Sequence, residues 1–269
     1  MKYAVSNIAL PAYDHADDFG VLADIGLSGL EVAPSRVWRD TWHGVTAVEV
    51  NDYRRRAERA GLRIVGLHSL LFDQPDLALF GDTETRHRTL DYMTHLSAVC
   101  RDLGGRTLIW GAGRKRGALA SEDAVLQTVT FFHDLHPRIS DHGTCFCLEP
   151  LGPEDTDFVN SVHESVRIVQ ITKRPSLGVQ IDAKALAQNA EANEETFRAA
   201  KPHLVHYHAN EPGFGSIGSS GTVDHAKMGD FLAAIGYDGF VSIEQRMLNN
   251  TDPLADIRSS LEYVKECYR

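Results

Sequence analysis

Thr144-Cys-Phe-Cys-Leu148 runs directly into Glu149, and three later segments repeat the pattern: Leu177-Gly-Val-Gln-Ile181 into Asp182, Leu204-Val-His-Tyr207 into His208, and Phe240-Val-Ser-Ile243 into Glu244. Each is a short apolar run of strand length closed by a carboxylate or an imidazole. Parallel strands in a barrel present their functional side chains at their carboxyl ends, so the repeat suggests both a sheet and the place of a site. The four polar residues stand 33, 26 and 36 positions apart (149 to 182, 182 to 208, 208 to 244), the spacing of βα units of about 30 residues.

Working outward, the first half of the chain reads in the same way. Strand-like runs fall at residues 3–8, 29–32, 63–68 and 107–110, before those at 144–148, 177–181, 204–208 and 240–244. They are rich in Val, Ile, Leu and Phe on both faces, as buried parallel strands are. Helical periodicity lies between them, at residues 15–25, 48–60, 83–103, from Ser121 as a cap with Glu122 and Asp123 behind it, and at 160–172, 183–200, 226–235 and 253–268. The stretch 183–200 carries a break near Asn189–Asn193. Eight strands with eight helices predict a single (β/α)8 TIM barrel, one domain over residues 1–269. The rival, a doubly wound open sheet, wants a Gly-rich phosphate loop after its first strand; Asn7-Ile-Ala-Leu-Pro11 stands there instead.

Composition narrows the function classes. A formal charge of −10 opposes contact with phosphate backbones, so nucleic acid is not an expected partner. No apolar stretch approaches the roughly 20 residues of a membrane span, and the apolar part of the N-terminus is too short for a signal peptide. With four cysteines and no C-x-x-C pair, the expectation is a cytoplasmic protein with no membrane partner. Cys145 and Cys147 share one strand face and read as core packing. Arg114-Lys-Arg116 reads either as a solvated loop or as a clamp for an anionic substrate.

Two Glu, one Asp and one His at successive strand ends form a ligand set for a hard or borderline divalent cation. The bland alternative for each residue is a strand cap or an ion pair. Four in four successive strands favour the metal site.

Leu148-Glu149-Pro150-Leu151, Ile181-Asp182, His206-Tyr-His208 and Ser242-Ile-Glu244 resemble the xylose isomerase-like TIM barrel superfamily, over essentially the whole chain. This group of sugar (phosphate) isomerases and epimerases includes D-tagatose 3-epimerase. The resemblance implies one divalent metal ion on Glu149, Asp182, His208 and Glu244, with Mn2+ first and Mg2+, Co2+ or Zn2+ as the others. It implies that Glu149 and Glu244 are also catalytic, exchanging a proton at carbon through a metal-stabilised enediolate. The implied substrate is a small carbohydrate, and a homodimer is common among such barrels. His68 at a strand end, Asp155 six residues after Glu149, and Glu211 three after His208 are candidate substrate-binding residues. Trp38, Trp42 and His43 are candidates to wall the sugar, and the Gly- and Ser-rich loop from Glu211 to Gly221 to close over it. Asp224 reads as a helix cap.

The chain also departs from the epimerase pattern. Ala185 replaces an expected His and Phe214 an expected Arg, both of which contact substrate hydroxyls in that branch. A related endonuclease chemistry needs a three-metal cluster fed by histidines that are absent at Trp110 and Ala185. The alternatives are a lyase on a 3-keto sugar or glycoside using the same metal site, and a non-catalytic sugar-binding barrel.

Overall fold

The computed structural model describes all 269 residues, Met1–Arg269. Eight parallel strands close into one barrel in sequence order: β1 (Lys2–Ser6), β2 (Gly29–Val32), β3 (Arg63–Leu67), β4 (Thr107–Trp110), β5 (Cys145–Leu148), β6 (Leu177–Asp182), β7 (Leu204–Asn210) and β8 (Phe240–Glu244), with β8 pairing back to β1. The helices are α1 (Phe19–Asp24), α2 (Ala47–Arg59), α3 (Thr83–Asp102), α4 (Ser121–Ile139), α5 (Val162–Thr172), α6 (Ala183–Gln188), α7 (Glu194–Ala200), α8 (His225–Ala234) and α9 (Pro253–Cys267). The chain is thus the (β/α)8 TIM barrel that its pattern predicts. The break near Asn189–Asn193 is real, and it divides one connection into α6 and α7. No helix is long and apolar enough to cross a membrane.

Local chemistry sets the helix ends. Thr46 accepts the Glu49 N–H while Glu49 accepts the Thr46 N–H, a reciprocal capping box that opens α2. Asp82, Ser161, Asn193 and Asp224 cap α3, α5, α7 and α8 in the same sense, so the expected role of Asp224 holds. Ser121 does not cap: it is the first residue of α4, and Ala120 holds the cap position without a side-chain bond. The 15–25 helix is also shorter than expected, a 3-10 turn at Ala16–Asp18 followed by the six-residue α1.

The strands are not apolar on both faces. Leu30, Val32, Leu108, Trp110, Phe146, Leu148, Val179, Ile181, Val241 and Ile243 join one continuous core with the helices. The alternate residues face the lumen, because Glu31 on β2 reaches His206 and His208 on β7, two strands beyond its own neighbour. Lumen positions carry polar or small side chains: Ser6, Glu31, Gln180, His206, His208 and Ser242, with Ile109, Cys145 and Cys147 as a separate small apolar cluster. Cys145 and Cys147 therefore pack inside the barrel and not under the helices. All four cysteines are free.

Closure makes some positions intolerant of a side chain. Gly66 lies opposite Thr107 across β3 and β4, and a Cβ there would sit 2.1 Å from the Thr107 carbonyl oxygen. Gly66→Ala is expected to cost about 2 kcal/mol or more through backbone displacement. Gly20→Ala, in α1 with nothing within 4 Å of the new methyl, is expected to be neutral or stabilising. Chemical denaturation of the two variants side by side checks the pair.

Candidate active site

The site forms where β5, β6, β7 and β8 end. Glu149 follows the last residue of β5, Asp182 closes β6, His208 lies in β7 and Glu244 closes β8. All four are buried, and one donor atom from each lies within 4.8 Å of the others. The four residues that the sequence singled out are brought to one point.

The imidazole of His208 shows what the point is suited for. Its Nε2 lies 2.9 Å from a carboxylate oxygen of Glu31, so in the neutral ring Nε2 carries the proton and donates it there. The Nδ1 lone pair then faces Glu149 and Glu244, each 3.3 Å away, and that buried atom has no hydrogen-bond partner. A ring nitrogen among three carboxylates is a donor set that could hold a divalent cation. Gly111 completes the room: a Cβ there would meet the Glu149 Oε2 at 2.1 Å.

Electrostatics point the same way. Burial, then the charges of Glu149 and Glu244, push Asp182 up to about 7. Burial also acts to raise Glu244, but His208 and His68 outweigh it and hold that carboxyl well below the usual range. Burial opposes protonation of His208, yet Glu31 and Glu244 raise it well above an ordinary imidazole. The protein alone is short of positive charge at this point.

Supporting residues fix these four side chains. Asn210 donates to Asp182 at 2.5 Å and to Glu244 at 2.9 Å, while its own carbonyl accepts the Lys184 N–H. The second Asp182 oxygen caps α6 through the Ala185 N–H. His68 lies 2.6 Å from the Ser6 hydroxyl through Nε2 and 3.3 Å from Glu244 through Nδ1. Glu31 is fully buried; its second oxygen lies 3.0 Å from His206 Nε2, and Ser242 donates to the first. Burial opposes ionisation of Glu31, but His208 and His206 hold it charged, well below the usual range. Sequence reasoning missed both Glu31 and Asn210. The only early signal was a lone carboxylate inside the otherwise apolar Gly29–Val32.

A cavity of about 280 Å³ opens onto Glu149 and Glu244, lined also by His68, Trp110, Asp155 and Lys184. His68 and Asp155 thus line the same cavity as Glu149 and Glu244. Lys184, which was not anticipated, pairs with Asp155 at 3.0 Å and stands 5.4 Å from the Phe214 ring, next to the position where a His was expected and Ala185 stands. Other expectations are revised. Glu211 is fully buried and committed to His225, the Gly218 N–H and the Ser220 hydroxyl, not to the cavity. Arg114 is no clamp: it is buried and donates to the carbonyls of Glu149, Phe158 and Val159. Trp38 packs on Tyr53, and Trp42 stacks on His43 and leans on Tyr92, so all three lie outside the cavity lining.

Comparison with known proteins agrees with this architecture. The model of a family described as xylose isomerase-like TIM barrel matches residues 19–267. Among solved structures, D-psicose 3-epimerase from Clostridium cellulolyticum H10, crystallised with D-tagatose, superposes with a TM-score of 0.84 over 100% of both chains at 16% identity. The 3-keto-D-glucoside 4-epimerase of E. coli does so at 0.83, covering 99% of this chain and 100% of its own at 17% identity. An L-ribulose 3-epimerase gives 0.81 at 16% identity, covering 100% and 95%. At these identities the likeness is one of fold. No curated protein matches the chain.

Two outcomes are expected. Asp182 and His208 must each give up a proton to ligate, so affinity for Mn2+ rises with pH, and calorimetry in buffers of different ionisation enthalpy should show one to two protons released per ion, more at about pH 6 than about pH 8. Glu31→Gln removes the charge behind His208 while keeping an acceptor, and is expected to weaken cation binding by about 10- to 100-fold in the same assay.

Proposed function

The chain belongs to the xylose isomerase-like TIM barrel family, and we propose that it is a divalent-metal-dependent isomerase or epimerase of a sugar or sugar derivative. The reaction is proton transfer at a carbon beside a carbonyl. One observation carries this reading: Glu149 and Glu244, from β5 and β8, meet at the four-residue donor cluster and both line the one cavity. A binding module has no need of an acid on each side of its ligand.

Glu149, Asp182, His208 and Glu244 would hold the cation, with Mn2+ first among Mn2+, Mg2+, Co2+ and Zn2+. When bound, a divalent cation supplies Lewis-acid polarisation of the carbonyl and its neighbouring hydroxyl. One of the two glutamates removes the α-proton and the other, carrying a proton exchanged with solvent, delivers it to the resulting enediolate. Asp182 serves as an anchor, since both its oxygens are already tied to Ala185 and Asn210. Asn210 and His68 aim Glu244, and Glu31 aims His208. The Lys184–Asp155 pair faces the substrate and replaces the missing histidine as a source of hydrogen bonds to hydroxyls. The printed names of the structural neighbours, epimerases of D-psicose, L-ribulose and a 3-keto-D-glucoside, support a carbohydrate substrate.

Deuterium incorporation tests the assignment. The Mn2+-loaded protein with candidate ketoses and keto-glycosides in D2O is expected to label the α-carbon. Glu149→Gln and Glu244→Gln, checked for metal content, are expected to slow that exchange by about 10²- to 10⁴-fold. Full turnover in either variant overturns the proton-carrier assignment, and elimination of a β-substituent in place of exchange identifies a lyase.

A further inference from the structure

The catalytic cavity has a second lobe. A space of about 370 Å³ adjoins the first and shares Ser69, Phe214 and Glu244 with it, so the two meet at a glutamate of the donor cluster. Sites for drug-sized ligands run from roughly 300 to 1,000 Å³. The first space, about 280 Å³, falls just below that range and suits a single sugar. The two together lie within it, so the site has room for a larger molecule than a free sugar.

The second lobe differs in chemistry from the first. Of the eleven phenylalanines in the chain only Phe72 and Phe214 are exposed, at 78% and 36%, and both wall this lobe, with Ile8 and Ala33 beside them. A single exposed apolar side chain needs no explanation, but two on one concave wall beside a donor cluster mark a ligand surface. The remaining walls, Ser35, Arg36 and the exposed Arg246, include two planar guanidinium groups, which stack on aromatic faces.

Phe214 is held at the neck between the lobes against its own backbone preference. Its φ is 54° and that of Gly213 before it is 69°, a left-handed conformation that bulky side chains rarely adopt. Its carbonyl accepts the Arg246 N–H at 2.9 Å, and the Lys184 ammonium lies 5.4 Å from its ring. Ser69, also shared by both lobes, stands in the same region at φ 52°. Strain of this kind gathers at ligand clamps, where the surrounding structure over-determines it. Phe214 also stands where an arginine that binds substrate hydroxyls was expected, so the wall offers a π-face in place of hydrogen-bond donors.

We propose that the substrate is a sugar joined to an aromatic group, and that Phe214 selects for it. The aromatic ring packs on Phe214 and Phe72 in the second lobe while the sugar carbons lie over Glu149 and Glu244. The inference rests on the sugar isomerase or epimerase reading and names its substrate class.

Binding of unreactive probes separates this inference from catalysis. The Mn2+-loaded protein is titrated with methyl and phenyl β-D-glucopyranoside and with the matching galactosides, none of which has a carbonyl to react. The phenyl glycosides are expected to bind about ten-fold more tightly than the methyl ones. Phe214→Ala is expected to remove most of that preference, and Phe214→Tyr, which keeps the ring, to retain it. Phe72→Ala, at a side chain that lies outside the core, is expected to reduce the preference about three-fold. Equal binding of methyl and phenyl glycosides by the wild type overturns the proposal, as does an undiminished preference in both Phe214→Ala and Phe72→Ala. Maltose bound as tightly as the phenyl glucoside overturns the aromatic assignment in favour of a second sugar. A phenyl preference without deuterium exchange in any ketose or keto-glycoside keeps the lobe and overturns the isomerase reading. Exchange together with equal binding keeps the isomerase reading and overturns the lobe.

Discussion

A buried carboxylate facing a buried imidazole across the barrel, Glu31 to His208 at 2.9 Å, is the contact on which the site depends. Neither group is stable there alone: burial opposes the charge on each, and each is what offsets the cost for the other. The pair also decides a tautomer. Once the ring gives up its Nδ1 proton, Glu31 behind Nε2 leaves the lone pair of His208 one direction to face, toward Glu149, Asp182 and Glu244. Ser242 and His206 close the remaining sides of Glu31, so the orientation is passed inward from three strands.

From that contact the rest of the site follows as a problem of charge. Three carboxylates within 4.8 Å repel one another, and the protein answers incompletely. Asn210 bridges Asp182 and Glu244 with the two hydrogens of one amide, and His68 approaches Glu244 from the β3 side. What remains is an acid pushed up to about 7 and a nitrogen without a partner. The barrel interior is built to suit this arrangement. Its helix-facing surface carries the large apolar side chains, and its lumen carries the polar ones, so the polar centre costs the main core nothing in packing.

The loop after β7 shows the same economy at one remove. Glu211 holds Gly218 and Ser220 of the Gly- and Ser-rich segment, and it is itself held by His225, whose other nitrogen lies 2.6 Å from the Tyr268 hydroxyl. Tyr268 in turn bonds Tyr207. A residue expected to touch substrate instead ties the loop to the end of α9 and the outer face of β7. Lys184 and Asp155, not Glu211, line the cavity beside Glu149 and Glu244.

The sequence by itself determined the barrel and the four strand-end residues that meet at one point, because both are written as short-range patterns. A strand-length apolar run ending in a polar residue, repeated at the βα spacing, is legible without any tertiary contact, and so are the cap at Asp224 and the break between α6 and α7, while the cap read at Ser121 falls one residue inside its helix. Only the tertiary structure decided which face of each strand looks inward, since alternation was hidden where Cys, Gln, His and Ser stood among Val and Leu. Only it could bring Glu31 to His208, 177 positions away, or show Arg114 buried on backbone carbonyls instead of standing at a surface as a clamp. Partnership across a closed barrel depends on strand register and on the lumen, and neither leaves a local trace in the chain.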